Sequence, residues 1–261
     1  MIIRKHPEGT LTLIGQTDHS RLVGQLAAHW GNDGFARPEP YDSIVRGAVY
    51  HDYGWLGYET NPLIDPESGE PYEFRQLPFR PEQLAGYQWC IDWLTGIDLL
   101  SGLLASMHRT GLWKQRYGAI AHPTARVNPQ SSRSEIQEFI ERNEARQAEG
   151  RQVVGEDTLW RNYRLLQVWD LLGLYLCCQE PYDDFIEPAP VSAASDDPGV
   201  RLTMTALGDG RVAFDPYPFD VRPLKVQIGS KRLAQSAYPD LQAFQREYFQ
   251  AENHLLEYEL V

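Results

Sequence analysis

His51 and Asp52 stand side by side at the end of an apolar run, Ile44-Val45-Arg46-Gly47-Ala48-Val49-Tyr50-His51-Asp52-Tyr53-Gly54-Trp55. Between them they carry imidazole nitrogen and carboxylate oxygen, donors that suit Mn, Fe, Ni, Zn or Co, whereas Mg and Ca prefer oxygen alone. On a 3.6-residue period Ile44 and Ala48 share the face of His51, and Val45 and Val49 share that of Asp52, so each polar residue continues an apolar stripe. A carboxylate in such company must be paired, hydrogen-bonded or metal-bound, because isolated burial is expensive. The neighbouring histidine makes a metal ion the economical partner. Adjacent helical residues point about 100° apart, so the pair reaches one ion best at a helix end, which Gly54 provides.

Three other residues repeat the anomaly. His19 is followed on its own face by Leu22, Val23, Leu26 and Trp30; Asp170 has Tyr163, Leu166, Leu174 and Cys177 as stripe neighbours; His108 follows Leu100 and Leu104 and precedes Leu112. Ligand-type residues on faces that should be core point to a shared site. Each has a plainer explanation when taken alone: His108 bonded to a backbone carbonyl, Asp170 paired with an arginine such as Arg164. His29 lies about 15 Å along the helix from His19 and reads as a partner of the terminal carbonyls. His6 and His254, in strand-like text near the ends, read as surface residues.

The order and local text of these residues resemble the HD superfamily of metal-dependent hydrolases, all-helical proteins that hold one or two metals. In that pattern a histidine on an early helix is followed by a His-Asp pair ending the next helix and by an aspartate on a later one. His19 with Ser20 and Val23 is similar to the first element, Ala48-Val49-Tyr50-His51-Asp52-Tyr53-Gly54 to the second, and Asp170-Leu171 to the last. The resemblance runs from His19 to Cys178, and the whole chain is similar to an uncharacterised group of bacterial proteins with the same layout. Trp55 departs from the pattern, standing where a lysine often follows the glycine.

The resemblance implies that His19, His51, Asp52 and Asp170 ligate a divalent transition metal, with His108 and His122 available for a second ion. His122 precedes Pro123 and so reads as extended or loop. The activity implied is hydrolysis of a small phosphomonoester or phosphodiester by a metal-activated water, with Asp52, His108 and Arg109 as the catalytic set. Two alternatives stand beside it: an oxygenase holding two irons, as some HD relatives are, and a catalytically silent protein that keeps the metal as a staple.

The elements that must position these residues follow from periodicity. Helices are expected over 18–31, 41–53, 81–96, 98–115 and 159–178, with a highly charged one over 134–152 that reads as exposed or partner-facing. Residues 1–4 and 11–14 read as a hairpin around Pro7-Glu8-Gly9. Strands are expected over 200–207, 211–214, 224–228 and 255–261, and a helix over 241–252; residues 187–199, rich in Pro, Ala, Ser and Asp, read as a linker. The fold expected is mainly α: a helical metal-binding core over about 18–180, with terminal strands from 1–15 and 200–261 forming a small antiparallel sheet, α+β overall, in one domain spanning 1–261. The stretch 55–78 holds four prolines and several aromatics directly after the His-Asp pair, and is placed to roof the site, with Trp55 and Glu59 touching substrate.

A net charge of −12 over 261 residues disfavours non-specific binding to nucleic acid or anionic membranes. A small phosphorylated substrate needs only local positive charge. Arg109, Lys114, Arg116, Arg126 and Arg133 are near enough in sequence to supply it; most read as solvated surface, with Arg109 retained as a substrate contact beside His108. Three cysteines give no disulfide framework, and neither a secretory signal nor a membrane-spanning run is seen, so a cytoplasmic protein is expected. The charged 132–152 segment leaves a homo-oligomer open.

Overall fold

The computed structural model describes residues 1–122 and 129–261. The helices are α1 (Gln16–Ala28), α2 (Tyr41–Tyr50), α3 (Leu56–Glu59), α4 (Pro81–Ile97), α5 (Leu99–Trp113), α6 (Ser134–Val154), α7 (Glu156–Cys178) and α8 (Leu241–Gln250). The strands are β1 (Ile2–Lys5), β2 (Leu11–Ile14), β3 (Asp184–Ala189), β4 (Val200–Gly208), β5 (Arg211–Asp215), β6 (Leu224–Leu233) and β7 (Asn253–Leu260). Arg126, one of the arginines near enough in sequence to supply local positive charge, lies outside the described residues.

α7 is the axis of the helical layer. Its Leu166, Trp169, Leu172 and Leu176 are almost wholly buried, and it packs against α1, α5 and α6. α1 lies on α2, and Gly24 lets them close: a Cβ there would stand 2.2 Å from Val49 Cγ2. The charged α6 is not a free surface element. Phe139, Ile140, Asn143 and Gln147 are buried against α5, and Gln147 donates to the Ser106 hydroxyl at 2.9 Å. Polar side chains fill much of that interface, so the sequence shows few apolar positions there.

The sheet departs from expectation. Among the described residues it has seven strands in the order β1-β2-β6-β7-β5-β4-β3, curled into a half-barrel, and strand and helix make up 20% and 48% of the chain. It is a substantial mixed sheet, not a small antiparallel one. β5 and β7 run parallel, with Arg211 opposite Glu259 and Val212 opposite Leu260, because β6 and α8 intervene between them in the chain and bring β7 back alongside β5. β3 occupies part of the expected linker; its Pro188 removes a backbone donor, which an edge strand tolerates. Arg4 of β1 joins sheet to helices: its Nε donates to the Cys177 carbonyl at 2.8 Å and a terminal nitrogen to the Tyr258 hydroxyl at 2.7 Å, placing a cation at the C-terminal end of α7. Among the described residues, no helix is long and apolar enough to cross a membrane.

Candidate metal centre

Four elements meet at the His51–Asp52 turn. α2 ends at Tyr50; His51 caps it, and Asp52 leaves the helical path at φ −111°, ψ 14° before a short 3-10 turn over Tyr53–Trp55. That break lets two neighbouring side chains converge. His19 arrives from the first turns of α1 and Asp170 from the middle of α7. One ligand atom from each of His19, His51, Asp52 and Asp170 falls within 4.8 Å of the others, and all four residues are buried. The group could hold a metal ion.

His51 carries the most telling geometry. Its Nδ1–H donates to the Ala48 carbonyl at 2.8 Å, and the Ser20 hydroxyl oxygen lies 3.1 Å from the same nitrogen while its own hydrogen goes to the Val49 carbonyl. With Nδ1 carrying the hydrogen, Nε2 presents a lone pair. That atom is buried with no hydrogen-bond partner among the described residues, 3.6 Å from Asp52 Oδ2 and 3.5 Å from Asp170 Oδ1. A lone pair facing two carboxylate oxygens repels them unless a cation lies between. Without a metal ion a proton competes for that place: burial pulls the His51 pKa down, but the Asp52 and Asp170 carboxylates outweigh it and hold it above its ordinary value.

Asp170 is the electrostatic hinge. One oxygen lies 3.0 Å from His19 Nε2, and the other pairs with Arg116 at 2.7 Å. Burial would raise its pKa, yet the Arg116 guanidinium, the nearby imidazoles and the His19 contact win, holding it well below the carboxylate range. Two carboxylates here share one paired guanidinium, so negative charge remains for a further cation. Gly173, one turn along α7 from Asp170, makes room for His19: a Cβ there would sit 2.7 Å from the imidazole Cε1.

His108 comes close without joining the four. Its Nε2 is 3.7 Å from Asp52 Oδ1. A relay sets its ring: Arg116 donates to the Gln167 amide oxygen, leaving the Gln167 NH2 to face His108 Nδ1 at 3.5 Å. A neutral His108 therefore carries its hydrogen on Nε2, which faces Asp52 beyond hydrogen-bond distance and has no partner among the described residues. Burial and the neighbouring His51 charge push its pKa well below the usual value, so it stays neutral. His122 lies 3.5 Å from Asp184 Oδ2 and is likewise outside the group of four.

A cavity of about 680 Å³ opens onto Asp52, His108 and Asp170 and is also lined by His122, Trp55 and Arg109. The stretch after the His-Asp turn does roof it, through Trp55 and the segment around Phe74 to Arg80. Glu59 does not line it. Its carboxylate instead accepts from the Thr17 backbone N–H at 3.1 Å and hydroxyl at 2.6 Å, satisfying the exposed donors at the start of α1. Burial dominates there and raises the Glu59 pKa despite those bonds.

Arg116 is the residue that sequence reasoning undervalued. By sequence it reads as one of the solvated arginines, but it is buried on Asp170 because Gln115, Arg116 and Tyr117 all adopt left-handed backbone, φ 51°, 54° and 52°. Three such non-glycine residues in a row are strained, and nothing in their types announces it. Lys114 pairs with Glu144 and Arg133 with Glu135, both partly exposed. Asp170 finds Arg116 rather than Arg164, and His29 pairs with the Asp220 side chain at 2.9 Å rather than with helix carbonyls.

A family model described as "Protein of unknown function (DUF3891)" matches residues 1–235. No curated protein and no solved structure matches the chain.

Proposed function

The chain belongs to the DUF3891 family, and for it we propose a metal-dependent phosphohydrolase of the HD type, acting on a small phosphomonoester or phosphodiester. The observation that carries this reading is the buried lone pair of His51 Nε2, aimed with no donor at Asp52 and Asp170. His19, His51, Asp52 and Asp170 would hold the ion, and a donor set of two imidazoles and two carboxylates favours Mn, Fe, Co, Ni or Zn. A divalent ion held there supplies Lewis acidity, towards water and towards a phosphoryl oxygen.

The chain's own residues divide the remaining work. Arg116 keeps Asp170 ionised at neutral pH. Asp52, 3.6 Å from His51 Nε2 and 3.7 Å from His108 Nε2, stands at the cavity wall, where it can accept a hydrogen bond from an attacking water. His108 contributes a neutral donor beside that carboxylate. In the overall reaction the P–O bond to the alcohol breaks and a P–O bond to the water oxygen forms. One water proton ends on the alcohol, the other on phosphate or solvent. The group that converges holds four of the six candidate ligands, without His108 or His122, which favours a single-metal hydrolase over a two-iron oxygenase.

The test is hydrolysis of p-nitrophenyl phosphate and bis-p-nitrophenyl phosphate by protein loaded separately with each of these metals. Turnover with at least one metal, abolished in His51→Ala, is expected. Dioxygen uptake by the iron-loaded protein without any phosphatase activity would overturn the hydrolase reading.

A further inference from the structure

Arg109 follows His108 on α5, and both line the same cavity. Its guanidinium carbon stands 4.2 Å from the centre of the Tyr87 ring and 4.9 Å from that of Trp113. The residue is 7% exposed, and its Nε and one terminal nitrogen are buried without a hydrogen-bond partner among the described residues. The other guanidiniums on the cavity wall each have a carboxylate: Arg75 has Glu73 at 3.1 Å, Arg80 has Glu82 at 3.7 Å and Arg116 has Asp170 at 2.7 Å. Arg109 has aromatic faces instead.

A buried, unpaired charge is destabilising, and ring faces compensate only part of that. A guanidinium held in this way is preorganised for an anion that arrives from solution: its planar fork matches two oxygens of a phosphoryl group, and stacking on Tyr87 and Trp113 fixes the fork in place. The rest of the chamber has a different character. Leu112, Leu171, Leu174, Ile186 and Met204 line it, and its volume is in the range of pockets that enclose whole small molecules. A bare phosphate would leave most of that apolar wall facing water.

We infer that Arg109 is the oxyanion receptor of this chamber, and that the substrate is a phosphomonoester of an apolar alcohol, its phosphoryl oxygens on the Arg109 fork and its hydrocarbon body against the Leu171 and Leu174 side of the cavity. The choice of phosphate as the anion rests on the hydrolase reading above; the receptor role of Arg109 does not.

The experiment is isothermal titration calorimetry on the full chain, stripped of metal and dialysed free of chelator, with phenyl phosphate, inorganic phosphate, benzoate and phenol as probes. Phenyl phosphate should bind at least roughly tenfold more tightly than inorganic phosphate or phenol, since it alone uses both the charge-assisted bonds and the apolar wall. Arg109→Gln should weaken phenyl phosphate by roughly ten- to a hundredfold and leave phenol unchanged. Arg109→Lys, which keeps the charge and loses the fork, should fall between. Equal affinity of phenol and phenyl phosphate for the unmodified protein would overturn the inference whatever the variants do, as would unchanged phenyl phosphate binding in a folded Arg109→Gln. Benzoate binding more tightly than phenyl phosphate would overturn the phosphate assignment. Phenyl phosphate that binds through Arg109 but is never hydrolysed by metal-loaded protein would instead sink the hydrolase reading and leave the receptor standing.

Discussion

A buried carboxylate and a half-buried one meet α1 two residues apart, at His19 and Thr17, and their surroundings drive them in opposite directions. Asp170 touches His19 and Arg116, and cations hold its pKa well below normal. Glu59 touches Thr17, and burial raises its pKa by more than the Thr17 bonds and the N-terminal ammonium lower it. Both are largely covered by protein, Asp170 fully and Glu59 in part; only Asp170 belongs to a group with an orphaned imidazole nitrogen facing two carboxylates. Burial of an acid does not mark a site. Its company does.

The comparison breaks most readily at Arg116. Arg116→Met would strand Asp170 without its cation, and removing one partner of a buried pair costs about 3–5 kcal/mol. Thr17→Val beside Glu59 should cost about 1 kcal/mol, a single hydrogen bond. Urea unfolding of both variants measures the difference, and similar losses would mean that the two carboxylates are equivalent. Next in size is Gly173→Ala. Its methyl group must displace the His19 ring, so competition with a chelating dye should report metal affinity lowered roughly 10–100-fold, the range for disturbed support of a ligand; Glu59→Gln should leave affinity unchanged.

The smallest effect, and the sharpest in sign, is in pH dependence of the metal-free protein. A depressed folded pKa means that the stability Asp170 contributes is present above its unfolded value, about 3.9, and is lost as pH falls through the folded one. A raised pKa means the reverse for Glu59: its contribution is full below about 4.3 and is lost as pH rises through the folded value. Unfolding free energy measured from pH 3 upward should therefore lose part of its acid-side rise in Asp170→Asn and part of its subsequent decline in Glu59→Gln. The same direction of change in both variants would contradict the assignment.

Much of the helical layer is legible in the sequence because apolar residues recur at helical spacing and a ligand-type residue among them stands out, although α5 and α7 turn out to be buried on almost every face. That spacing marks His19, His51, Asp52 and Asp170, and His108 equally; the resemblance to the HD pattern is what separates the four from His108. Arg116 is not marked, since its role depends on a left-handed turn and a partner far along the chain. Glu59 misleads because nearness to the His-Asp pair in sequence suggests nearness to the chamber, whereas α3 directs it back to the start of α1. The extent of the sheet is hidden for a different reason. Pro188 disguises β3 as linker, and the parallel pairing of β5 with β7 depends on long-range closure that alternation within single strands cannot encode.

The most direct test of the centre is metal content per chain by inductively coupled plasma mass spectrometry, on protein purified without chelator or nickel affinity. The account expects about one transition-metal ion per chain in the unmodified protein and in Glu59→Gln, and essentially none in His51→Ala or Asp170→Asn. An unmodified protein that takes up no metal even after reloading, or a His51→Ala variant that keeps its full complement, would contradict it.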